Sequence, residues 1–146
     1  MVYGDSEAQG VVRDQRFYHV PLDLRLDYPA GWSILNRSDV VLGHTQDEAA
    51  FIAMTMETVA AGSNVNDLLR QRAGSQQGLV QEQGFSGSGY QGVLAILPGQ
   101  SPRRVGAVLR GAQLFLFVGA VRGQARLENY DKHFVSVIRS FTGLNA

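Results

Sequence analysis

The stretch from Arg103 to Arg122, RRVGAVLRGAQLFLFVGAVR, restricts this chain more than any other. It reads as two β-strands joined by a tight turn at Gly111-Ala112. Glycine stands at the first central position, where a type II′ turn needs φ > 0. Closing the hairpin on those two residues sets the register. Leu109 faces Leu114, Ala107 faces Leu116 and Val105 faces Val118 on one side. Arg110/Gln113, Val108/Phe115 and Gly106/Phe117 pair on the other. Phe117 is expected to lie over Gly106 and cover its bare backbone. A strand apolar on both faces belongs in the middle of a sheet covered, at least in part, on both sides, and Leu116 is expected to be buried there.

At 146 residues the chain is expected to form one domain, long enough to bury roughly 68–70% of its unfolded surface. Its 45% hydrophobic and 18% charged residues are those of an ordinary globular protein. No run of eighteen apolar residues occurs, so no membrane span is expected in this chain. The opening MVYGDSEAQG has neither the basic nor the apolar region of a secretory signal. With no cysteine, disulfides and thiolate metal sites are excluded. Net charge is zero, yet residues 1–82 carry −5 and residues 83–146 carry +5. The basic residues are scattered among strands, which argues against a nucleic-acid surface and for two halves that neutralise one another.

Residues 1–16 are polar and aperiodic and read as an extended linker; residues 17–146 read as a single α+β domain. From Val20 to Tyr28 apolar and polar residues alternate as in a half-buried strand, which Pro29-Ala30-Gly31 stops. Trp32 to Leu35, Val40 to His44 and Ala50 to Ala60 read as three more strands. Ser63-Asn64-Val65-Asn66-Asp67 starts a helix, with cap-type residues followed by an acid in the first turn; the pattern carries it to about Glu82. GFSGSGYQG reads as a loop, Val93 to Leu97 as a strand, and the hairpin follows. A last helix is expected from a cap at Asn129 to Gly143, with Tyr130, Phe134, Val137 and Phe141 on one face. The order is four strands, a helix, three strands and a helix. That order predicts an α+β fold with a mostly antiparallel sheet of about seven strands, the first helix crossing one face and the second closing against the same core.

Few residues carry a chemical signature. Gly87-Ser88-Gly89-Tyr90-Gln91-Gly92 matches the dinucleotide pattern GxGxxG, but a strand follows it where that site needs a helix N-terminus. His19, His44 and His133 are never four residues apart, so no helical zinc pair exists. His44 with Asp47 and Glu48 imitates part of an acid–base or metal site; the plainer reading is a polar turn. His133 reads as a histidine at the edge of the core and Trp32 as a core anchor. Arg70, Arg72, Arg103 and Arg104 read as solvated. No cofactor or metal ligand is expected in this chain.

The N-terminal third carries something more specific: Val2-Tyr3-Gly4-Asp5-Ser6, Gln9-Gly10, Val12-Arg13, Phe17, His19 and then Pro29-x-Gly31-Trp32. This resembles the region C-terminal to the protease domain in bacterial zinc metallopeptidases of peptidase family M, number 48, relatives of the CaaX prenyl protease. In that group such a run leads into a small α+β domain that finishes with a helix and Ser-Phe, as Ser140-Phe141 does here. The motif HExxH of the catalytic domain is absent from this chain, so no catalytic or metal residue carries over. The resemblance implies an accessory domain of a cell-envelope or periplasmic peptidase, with zinc held in the parent protease domain. That domain would lie upstream on the same polypeptide. Tyr3, Val11 and Val12 would form an interface to it, to protein substrates or to a second copy of this chain. A looser similarity, in the strand–Pro-x-Gly-Trp–strand opening, is to PsbP-like and Mog-type domains.

Two other function classes stand beside the accessory domain. One is a free-standing binding module for a small apolar ligand, suggested by Met54, Met56, Phe115 and Phe117. The other is an independent enzyme, for which no acid–base or nucleophile constellation is found.

Overall fold

Residues 11–13, 15–19, 24–37, 40–60, 62–73, 78–87 and 89–142 are described by a computed structural model. Three short strands come first: β1 (Val11–Arg13), β2 (Arg16–His19) and β3 (Leu24–Asp27). Then follow β4 (Ser33–Asn36), β5 (Val41–His44) and β6 (Ala50–Thr58), and the helix α1 (Val65–Ala73). The second half is β7 (Val80–Gly87), β8 (Tyr90–Leu97), β9 (Arg103–Arg110), β10 (Gln113–Val121) and α2 (Leu127–Arg139). The strands make an antiparallel sheet of three, β1-β2-β3, and one of seven, ordered β4-β5-β6-β10-β9-β8-β7.

The hairpin that constrained the sequence forms the middle of the large sheet. Gly111 takes a φ of 62°, and the register pairs Leu109 with Leu114, Ala107 with Leu116 and Val105 with Val118. β10 is then zipped along its whole length to β6, from Gln113–Thr58 to Val121–Ala50. Alternation along β10 sends Phe115 and Phe117 to one face and Leu114 to the other, and all three are buried.

The two faces build two separate cores. On the first, α2 and the three-stranded sheet cover the strands. Phe134, Val137 and Ile138 of the helix meet Phe115, Phe117 and Leu94, while Phe17, Leu24, Leu26 and Tyr28 fill the space beside them. α2 comes so close that a methyl group at Gly119 would sit 2.6 Å from the Phe134 ring. On the second face α1 lies over β8 and β9, and Val65, Leu68 and Leu69 pack on Val93, Ala95, Val105, Ala107 and Leu114. Asn64 caps α1 by accepting a hydrogen bond from the Asp67 N–H at 3.1 Å.

The α+β class and the largely antiparallel seven-stranded sheet agree with the sequence pattern. Several particulars do not. The helices lie on opposite faces, where one shared core was expected. Helix α1 ends at Ala73, and residues 80–82, expected to be helical, open strand β7. Most of Gly84–Gly92, expected as a loop, is strand: Gly84–Gly87 end β7 and Tyr90–Gly92 open β8, joined as a hairpin that pairs Gly87 with Tyr90. Helix α2 has its N-cap at Arg126, not Asn129, and its C-cap at Ser140; Gly143, expected just past its end, lies outside the described residues. Gly106 is paired with Phe117 as the turn dictates, but the side chains nearest to a methyl group placed there would be Ile138, at 3.1 Å, and Leu94, at 3.3 Å. Leu116 is only half-buried; Leu114 holds the deep position. Residues 11–13, placed in the extended lead-in, are strand β1, and Gln15 ties this start down by donating to the carbonyls of Pro29 and Trp32, both at 2.8 Å.

Candidate functional site

The second face of the large sheet is covered only over its β8–β9 half. Beyond α1, the registers line up Leu35, Leu42, Ala53 and Val118 in one row across β4, β5, β6 and β10. A second row holds Ser33, His44, Phe51 and Ala120. Leu35 is 40% exposed and Val118 36%, large side chains on a face whose other half is packed. Four strands at about 4.8 Å spacing leave a strip about 14 Å wide, room for one more helix beside α1. Among the described residues no helix or strand covers this strip. The ion pair of Arg72 with Glu57 stands on the α1 side of it.

A second feature is a cleft of about 550 Å³ at the start of α2. The β8–β9 loop supplies Gln100 and Pro102, β8 supplies Ile96, β7 supplies Gln81, and Leu127 and Asp131 come from the helix. Behind it the Arg104 guanidinium, 8% exposed, donates to both carboxylate oxygens of Asp131, at 2.7 and 2.6 Å, and to the Ala95 carbonyl at 3.4 Å. This pair locks the N-terminal half of α2 to the sheet. Expected to be solvated, Arg104 is buried because its register partners, Gly119 and Ile96, face α2. Alternation counted from Val105 contained that signal.

The sequence candidates fall out as follows. His44, Asp47 and Glu48 form a turn and not a site. Thr45 Oγ1 donates to Asp47 at 2.6 Å, the Ala49 N–H donates to the same carboxylate at 3.0 Å, and His44 Nδ1 donates to the Thr45 carbonyl at 2.7 Å. The Thr45 hydroxyl, and then the Ala49 N–H, hold the Asp47 carboxyl below its ordinary range. Trp32 is a core anchor, edge-on to Phe134 at 6.0 Å and tilted against His133 at 6.1 Å. Arg70 is paired with Glu82 at 2.9 Å and with Asp67 at 3.2 Å, so neither it nor Arg72 is simply solvated. Met54, Phe115 and Phe117 are spent in the first core and Met56 is 39% exposed; none of them lines the cleft. The opposite charges of the two halves do not meet in these pairs: Arg104–Asp131, Arg70–Glu82 and Arg72–Glu57 each stay within one half. Tyr3 lies outside the described residues. Val11 and Val12 lie on β1, the strand at one edge of the small sheet, with side chains outside the described set. Among the described residues no group of three or more metal-ligating side chains comes together, and no helix is long and apolar enough to cross a membrane.

No protein-family model and no curated protein matches the sequence. Solved structures do match. The solution structure of cyanobacterial PsbP (CyanoP) from Synechocystis sp. PCC 6803 aligns with a TM-score of 0.62 at 14% identity, over 88% of this chain and 91% of that one. A crystal structure from Bacteroides thetaiotaomicron VPI-5482 aligns with a TM-score of 0.53 at 16% identity, over 90% of this chain. This chain spans about half of that protein, 49% of its length. At such identities the likeness is one of backbone path: the chain has an α+β fold similar to that of PsbP.

Proposed function

We propose that this chain is a non-catalytic interaction domain that works beside a zinc metallopeptidase domain on the same polypeptide, at the cell envelope. The observation that carries the interaction half of this reading is the apolar strip Leu35–Leu42–Ala53–Val118, open on a sheet face that is packed elsewhere. Exposed apolar rows of this kind mark surfaces that meet another protein. The peptidase half follows from the resemblance of residues 2–32 to the segment behind such protease domains. Zinc would belong to that domain.

The test is to express the polypeptide upstream of residue 1 as a separate domain and titrate it with this chain. Association is expected. It should weaken at least tenfold in the Leu35→Glu/Val118→Glu double variant, whose exposed positions leave both cores untouched. Equal affinity of variant and wild type would remove the strip from the interface, and an upstream sequence without HExxH would remove the peptidase.

A further inference from the structure

At the far side of the large sheet, strand β7 is an edge. Its two-residue connection to β8 makes Gly87–Tyr90 the hydrogen-bonded closing pair. Antiparallel alternation then puts Phe85 and Gln83 in bonding pairs with β8 and turns the N–H and C=O of Gly84 and Ser86 outward. Nothing among the described residues pairs with that side. Edges are commonly blunted by lysine, by proline or by a bulge. β7 (VQEQGFSG) has no lysine and no proline. Its one charge, Glu82, is drawn to α1 by Arg70 at 2.9 Å. Only the bulge is present: the register shifts between Val80 and Gln83, where Gln81 takes a φ of 56°.

That bulge bends the strand beside the cleft, because Gln81 and Ile96 line it and Ile96 is the β8 partner of Val80. We propose that the β7 edge and the cleft at its start form one binding site for an extended, uncharged polypeptide segment. Its backbone pairs with Gly84 and Ser86, and one apolar side chain enters the cleft against Ile96 and Leu127. Backbone pairing supplies affinity and the pocket supplies selectivity, the division of labour of strand addition. A second copy of β7 fits less well. Straight two-fold pairing would span little more than Gly84 to Ser86 before the bend and would leave the cleft unused. A free peptide can follow the bend. The cleft favours an apolar side chain, because its nearby charges are already matched, Asp131 with Arg104 and Glu128 with Arg126. The open strip of the opposite sheet half takes no part, so this site stands or fails separately from the reading above.

The probe is a labelled ten-residue peptide of alternating valine and threonine with one leucine, followed by fluorescence anisotropy on the whole chain. Binding is expected, with amide shifts at Gly84 and Ser86 in NMR spectra of the wild type. N-methylation of alternate peptide residues, which removes their hydrogen-bonding edge, should weaken it at least tenfold. Ser86→Pro should do the same, since an outward N–H is dispensable to the β7–β8 pair. Gln100→Trp, at the exposed mouth of the cleft, should erase the preference for leucine over glycine while leaving the backbone-driven part intact. If Ser86→Pro fails to fold, the methylated peptide and the shift map decide alone. Absence of binding overturns the proposal. So do affinity indifferent to methylation, shifts confined to the Leu35–Val118 strip, or concentration-dependent dimerisation that the peptide does not compete with.

Discussion

Asp131→Ala would leave the Arg104 guanidinium, 8% exposed, with the Ala95 carbonyl as its one hydrogen-bond partner among the described residues. Breaking a buried pair from one side typically costs about 3–5 kcal/mol; because the Asp131 side chain is 28% exposed, the low end is expected, read from urea denaturation. The double change Arg104→Met/Asp131→Leu should recover most of the loss, since no charge is then stranded. In the hairpin, Leu114→Ala should cost about 2–5 kcal/mol and Leu116→Ala clearly less, because only Leu114 is fully buried. Equal losses would mean that α1 covers both positions alike. Register was readable in the sequence because one turn determines it. Burial was not, because it depends on which half of a face a helix covers. Leu114 and Leu116 are two residues apart on the same face, yet the former is sealed in the α1 cluster and the latter packs against that cluster only in part.

At the scale of elements, the signals that succeeded were local chemistry. Gly111 has the φ of 62° that its turn demands, and Gly111→Val should destabilise by about 1–3 kcal/mol in thermal melts by forcing a β-branched residue into that region. Asn64 caps where the sequence placed a helix start. β7 was illegible for a physical reason. This edge strand sends only Phe85 inward, so VQEQGFSG shows no period of two, and its start merged with the helical pattern before it. The tie between these elements is electrostatic and titrates. The Arg70 hydrogen bond holds the Glu82 carboxyl below its ordinary range. A depressed folded value means the contribution is whole above the unfolded value, about 4.3, and disappears as pH falls through the folded one. The melting-temperature gap between wild type and Glu82→Gln should therefore stay level from about pH 7 to 5 and close below about pH 4. A gap that persists in acid would assign Glu82 a packing role instead.

At the scale of the molecule, the sequence indicated the α+β class and a mostly antiparallel sheet of about seven strands but not that its two helices take opposite faces. Both amphipathic stripes were visible. Nothing in a stripe says which side of a sheet it will meet, because β9 and β10 offer apolar side chains to both. The half-covered second face was equally hidden, since Leu35, Leu42 and Val118 read in sequence like any other inward residues. The central seam of the large sheet joins β6 to β10 across more than fifty residues of chain, whereas β7 to β10 follow one another through short connections. Loop closure disfavours the seam early, while neighbouring hairpins can form on their own. The second half of the chain should therefore act as the folding nucleus, with the first half joining late, edge to edge. In stopped-flow measurements Val108→Ala, on β9, should slow refolding. Ile52→Val, on β6, should leave refolding nearly unchanged and speed unfolding. The reverse partition would place the seam itself in the rate-limiting step.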